Sequence, residues 1–300
     1  MSIATEISRL QTAKADIKTA IEAKGVTVPS NATLDTYDTY VSQIQTGGGT
    51  NYLEQYANRS IPNIITSTQL GTNIGSNMAS HLFYDQENIT AINLTGTGVT
   101  KISNYFCAEC ANLVNVTIPN TVTEIGNNFC QNTKVASFTI PSSVTKFGTH
   151  FLGGSRVTSL TIPSTVTSVG NDCLYNNAHI EVVHYNANIA ALPQSFCFNT
   201  NSLALVDLNS SVTSIGKFCL SRSSASTNLL EVVLRNTSGV VTLPNAIGAT
   251  GSNSAFRYRR NIKIYVPSAL IASYQADANW AAGITAGYLT IVALEGSQYE

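Results

Sequence analysis

Two short clusters in this chain hold side chains that could do chemistry. Cys107-Ala108-Glu109-Cys110 has the spacing of a dithiol redox pair or of half a zinc site. Phe256-Arg257-Tyr258-Arg259-Arg260 concentrates guanidinium groups among aromatic rings, the composition of a grip on an acidic glycan or a partner carboxylate. His81, His150, His179 and His184 show no His-x-x-x-His spacing for a metal. Gly-x-Ser-x-Gly is absent, and Gly216-Lys217 lacks the upstream glycine of a phosphate loop. Paired carboxylates at matched positions, which a glycosidase groove needs, are missing too. The expectation is a protein with no catalytic residues, no cofactor and no metal.

Composition narrows the partners. Of 300 residues only 11% are charged and the net charge is −1, which does not favour nucleic acid or an anionic membrane surface. No apolar run reaches the length of a membrane span. The first residues lack the apolar stretch of a secretory signal, so the expected place of synthesis is a cytoplasm, where cysteines stay reduced.

The cysteines acquire a different meaning once the chain is aligned with itself. Ile118–Gly126, Ile140–Gly148, Ile162–Gly170, a degenerate Tyr185–Pro193 and Leu208–Gly216 repeat one another at 22 or 23 residues. A fixed period of this size predicts a solenoid whose rungs cannot bury their apolar faces alone and must stack. Aligned rungs give ladders: Leu113, Val135, Val157, Ile180, Leu203, Leu229; then Val116, Phe138, Leu160, Val183, Val206, Val232; then Ile118, Ile140, Ile162, Tyr185, Leu208, Leu234. A second arm carries Val99, Val122, Val144, Val166, Ile189, Val212 and Ile102, Ile125, Phe147, Val169, Leu192, Ile215. Spacing of two inside an arm predicts a short strand, the following Pro a corner, and Gly126, Gly148, Gly170 and Gly216 a tight or left-handed turn. Cys107, Cys130 and Cys197 share one rung position with Leu152 and Leu174, and so read as small core hydrophobes.

The fold expected is therefore a repeat solenoid, mainly β, of 22–23-residue period, with an N-terminal α-helical hairpin or tab and a C-terminal cap. Residues 3–24 form a helical stripe of Ile3, Ile7, Leu10, Ile17 and Ile21, and 34–45 a second short helix. Boundaries fall at 1–46 for the tab, 47–69 for a linker and N-terminal cap, 70–266 for the solenoid and 267–300 for the C-terminal cap. Trp280 is expected to cover the last rung.

Outward strand positions are the natural binding surface. Asn115, Thr117, Ser137, Thr139, Ser159 and Thr161 offer hydroxyls and amides suited to sugar hydrogen bonds, joined by Arg257, Tyr258, Arg259 and Arg260. Further along, Val182, Leu205 and Val233 stand at outward positions and need cover, from the C-terminal lid or from another subunit. They and Ile3, Ile7, Leu10, Ile17 and Ile21 are the candidate assembly residues.

Leu113, Val116, Ile118, Pro119, Val122, Ile125, Gly126 and Phe129 form the fullest rung, and this pattern resembles the BspA-type leucine-rich repeats of bacterial surface proteins over residues 70–270. Tyr265-Val266-Pro267, Tyr274 and Trp280 look like the segment that closes such repeats. Ile7, Leu10, Ala13, Lys14, Ile17, Ala20, Ile21, Lys24, Gly25 and Val26 resemble instead the helical segment near the start of phage tail and baseplate proteins. The two resemblances imply a virion protein of the tail fibre or baseplate, localised in the virion. Its N-terminal helices would contact other tail proteins, and its repeats would face a host glycan or protein. The alternatives are a bacterial surface adhesin and a purely structural spacer or decoration protein. Assembly with further copies through the tab is left open.

Overall fold

Alternating apolar and polar residues with a Pro corner put short parallel strands on the two arms of the repeat. The computed structural model describes residues 11, 14–15, 17–19, 21–22, 27–32, 63–66, 78, 80–225, 227–248 and 253–300. Those below 33 and those from 63 onward belong to separate compact units. In the first, residues 17–19, 21 and 22 are helical, with Ile21 buried and Ile17 42% exposed. Ile3, Ile7, Leu10 and the helix expected over 34–45 lie outside the described residues.

The second unit is a solenoid with two sheet-bearing faces. Its front face carries two parallel sheets. β1 (Ile64–Thr66), β2 (Ala91–Asn93) and β4 (Asn115–Thr117) form one. β7 (Ser159–Ile162), β9 (Val182–Tyr185), β11 (Leu205–Leu208), β13 (Leu230–Leu234), β14 (Ile262–Val266) and β15 (Leu289–Ala293) form the other. The second face carries β3 (Lys101–Ile102), β5 (Glu124–Ile125), β6 (Lys146–Phe147) and β8 (Ser168–Val169), followed by a separate pair, β10 (Ala191–Leu192) and β12 (Ser214–Ile215). Register follows the repeat: Val183 lies opposite Leu160, Val206 opposite Val183, and Val232 opposite Val206.

Each face is interrupted once, at different rungs. On the front, Ser137–Thr139 pairs with neither β4 nor β7. The residue between them in the ladder is Phe138, where other rungs place Val116, Leu160 or Val183. Its ring is 5.2 Å from Phe129 and 5.8 Å from Phe151, so the rung accommodates a bulky wedge that smaller neighbours do not require. Val116, Ile118, Phe138 and Ile140 accordingly keep 6–8% exposure, against 0–1% for Leu160 and Ile162. On the second face the break falls between β8 and β10, at the degenerate rung. Ala187 is buried there in place of Ile189, which is half-buried.

The apolar columns run along the axis. Phe106, Phe129 and Phe151 are fully buried with centroids 6.4 and 5.6 Å apart. Leu229 departs from its ladder: it is 45% exposed and Leu230 is buried. Because β13 begins at residue 230, strand alternation puts 230, 232 and 234 on the inner side.

Of the two expectations for the closing glycines, the left-handed turn is corrected. Gly126, Gly148, Gly170 and Gly216 do not have positive φ. They are required by closeness: a Cβ on Gly126 would lie 2.7 Å from the Asn104 backbone nitrogen, and one on Gly216 2.8 Å from Gln194 N and Leu192 O. The left-handed positions are mostly non-glycine and recur twice per rung, as at Tyr105 and Glu109, Asn128 and Asn132, Asp172 and Asn176, Ser195 and Asn199. That conformation turns each N–H along the axis onto the next rung: Tyr105 N–H donates to Asn127 O at 2.8 Å, Asn132 N–H to Gly153 O at 2.9 Å, and Ser195 N–H to Lys217 O at 2.9 Å.

The C-terminal end is closed by α1 (Ile271–Ala276), α2 (Ala278–Thr285) and β15. Asp277 caps α2 by accepting from the N–H groups of Asn279 and Trp280. Trp280 is fully buried against Phe256 and Tyr274, and its Nε1–H donates to Val241 O at 2.8 Å.

Candidate binding surfaces

Period-two alternation in β4 turns Asn115 and Thr117 outward while Val116 points in, and the rung after it turns out Ser137 and Thr139. All four are exposed. Because the sheet is interrupted here, they border a cleft of about 370 Å³ completed by Asn120, Pro141 and the edge of Phe138. Main-chain N–H and C=O groups of Ser137–Thr139, unused by either neighbouring strand, add to its hydrogen-bonding groups. Ser159 and Thr161 are exposed on β7, beyond the interruption.

The apolar positions further along are covered more than expected. Val182 and Leu205 are half-buried and Val233 is fully buried, so Val233 is core and not a contact surface. The end of the chain lies over this part of the face. Tyr265 and Tyr299 hydroxyls donate to Glu231 at 2.6 and 2.7 Å. Arg235 holds Asp207 with two bonds, at 2.8 and 3.1 Å, and donates to Tyr299 O at 2.8 Å.

The arginine cluster is divided by the fold. Arg259 is fully buried, which corrects the reading of a surface grip: its Nε donates to Leu220 O and its Nη2 to Thr200 O. Arg260 turns away to lie 4.1 Å over the Tyr288 ring. Arg257 and Tyr258 are half-buried, the guanidinium 4.5 Å from the ring centroid.

All six cysteines are buried free thiols. Cys110 donates to Phe83 O, and burial pushes its thiol up to about 12. The Cys107 and Cys130 sulfurs approach to 3.0 Å. Among the described residues no group of three or more His, Cys, Asp or Glu is arranged to hold a metal, and no helix is long and apolar enough to cross a membrane.

A second polar groove, of about 380 Å³, went unread in the sequence. Glu124 bridges Lys101 at 3.1 Å and Lys146 at 3.2 Å there, and these two ammonium groups hold its carboxyl below the usual carboxylate range. Their shared rung position, at 101, 124 and 146, was the available signal.

Comparison with a family model agrees with the repeat. The BspA type Leucine rich repeat region matches in six copies, over residues 37–157 and 123–263. The chain is similar to a leucine-rich repeat protein from Bacteroides ovatus (TM-score 0.44, 15% identity, 63% of this chain and 58% of that one). It is also similar to the T. pallidum Leucine Rich Repeat protein (TM-score 0.43, 17% identity, 48% and 68%), and to the pneumococcal vaccine antigen PcpA (TM-score 0.35, 12% identity, 77% and 67%). The chain thus spans 58% of the Bacteroides protein's length. No curated protein matches it.

Proposed function

Since the chain belongs to the BspA-type leucine-rich repeat family, we propose that it is a non-catalytic recognition protein of the adhesin kind, and that the front cleft at Ser137–Thr139 binds a neutral saccharide. The interrupted sheet carries this reading. Hydroxyls from Thr117, Ser137 and Thr139, the Asn115 and Asn120 amides and unused main-chain groups converge on one opening. Sugars present closely spaced donors and acceptors, and such a lining can meet them directly or through water. An uncharged surface supplies little long-range attraction, so affinity per site is low and many copies on one surface make it effective. Family membership supports surface display over the virion-tail reading, whose carrying residues, 1–46, fall mostly outside the described structure.

The test is a glycan array probed with the intact chain and with the variant Asn115→Ala, Thr117→Ala, Ser137→Ala, Thr139→Ala. All four side chains are exposed, so the variant keeps its circular dichroism and loses binding. Retention of every array signal by the folded variant refutes the assignment.

A further inference from the structure

Two guanidinium groups, those of Arg222 and Arg259, converge near the last rungs, while that of neighbouring Arg257 turns onto Tyr258, donating to its hydroxyl at 3.0 Å. Arg222 and Arg257 are backbone neighbours on successive rungs, Arg222 N–H donating to Arg257 O at 2.9 Å. Arg222 Nη2 reaches Asn201 Oδ1 at 2.7 Å, while Arg259 Nη2 reaches Thr200 O at 3.0 Å, so the two side chains converge on consecutive residues. Burial, and next the charge of Arg222, lower the Arg259 guanidinium to about 10. Among the described residues the ion pairs engage Lys18, Lys101, Lys146, His184 and Arg235, and none of these three arginines.

On the two converging side chains three N–H groups are buried and have no acceptor: Nε and Nη1 of Arg222 and Nη1 of Arg259. Buried donors in folded proteins are nearly always satisfied, and converging cations repel unless an anion lies among them. The guanidinium fork matches the oxygens of a tetrahedral oxyanion. Arg259 is buried as a floor, and Arg222 forms a half-exposed rim.

We propose that Arg222 and Arg259 form a binding site for a tetrahedral oxyanion, a sulfate or phosphate group, carried by a free ion or by an anionic saccharide. This site is separate from the front cleft, and each assignment can fail alone.

Titration of the intact chain with sodium sulfate, against sodium chloride at equal ionic strength, tests it by thermal midpoint and calorimetry. Sulfate should raise the midpoint saturably where chloride does not. Loss of one charge-assisted fork in the half-exposed Arg222→Gln variant should weaken the apparent affinity about tenfold or more. Arg222→Lys, which keeps the charge and removes the fork, serves the same purpose if the first variant's circular dichroism changes. A sulfated disaccharide binding more tightly than sulfate, with its unsulfated form inert, locates the group on a saccharide; equal affinity assigns the free ion. Equal responses to sulfate and chloride, or identical responses in wild type and both variants, overturn the proposal.

Discussion

Replacing Gly216 by alanine probes rung stacking directly. The added Cβ would sit 2.8 Å from Gln194 N and Leu192 O and 2.9 Å from Pro193 C, all backbone atoms of the preceding rung. Ordinary contact begins at 3.4 Å, so the two rungs must part locally by 0.6 Å (3.4 minus 2.8). That separation strains the bond from Gly216 N–H to Leu192 O, now 2.8 Å, and the pairing of Leu192 with Ile215. Overpacking of this kind costs about 1–3 kcal/mol. Gly239 is the matched control: nothing lies within 4 Å of its Cβ position and its φ is not positive. Alanine there should be neutral or stabilise by about 0.4–1 kcal/mol through the unfolded chain. Urea denaturation of both variants gives the comparison. If Gly216→Ala and Gly239→Ala agree within about 0.5 kcal/mol, the rungs are not packed at this closeness and the account of the glycines fails.

Other outcomes follow from the core. Phe129→Ala, which empties the middle of an aromatic column, should cost about 3–5 kcal/mol by the same measurement. Cys110 has a folded value of about 12 against an ordinary 9.0, so its contribution is complete below pH 9.0 and declines as pH rises towards 12. Cys110→Ala should flatten the alkaline loss of stability across that window, and an unchanged slope counts against the buried thiol as its source. Trp280 is the only tryptophan and is fully buried, so its emission should be blue-shifted and should move to the red when the C-terminal lid opens. A red-shifted native spectrum would contradict that packing.

The ladders were readable because their side chains obey two simple periods, one along the strand and one along the repeat. Four features escaped for identifiable physical reasons. The left-handed turns use Tyr, Asn, Asp and Ser, residues that do not announce positive φ as glycine does. Leu229 and Leu230 are chemically equivalent, and only the starting point of β13 decides which is buried. Arg259 looks like a surface residue because its charge is visible and its carbonyl partners, Leu220 and Thr200, lie 39 and 59 positions away. The front interruption was hidden as well: Phe138 satisfies the apolar pattern, and it is size, not polarity, that separates the rungs.

The two breaks in pairing do not coincide. Where the front loses its ladder at Ser137–Thr139, β6 on the same rung remains joined to β5 and β8; where the other face parts between β8 and β10, β7, β9 and β11 run on unbroken. Like staggered joints in masonry, each seam is spanned by continuous material on the opposite side. Bending can therefore concentrate at two points, in different senses, without severing the column, and a pulling force should meet an intact hinge at each.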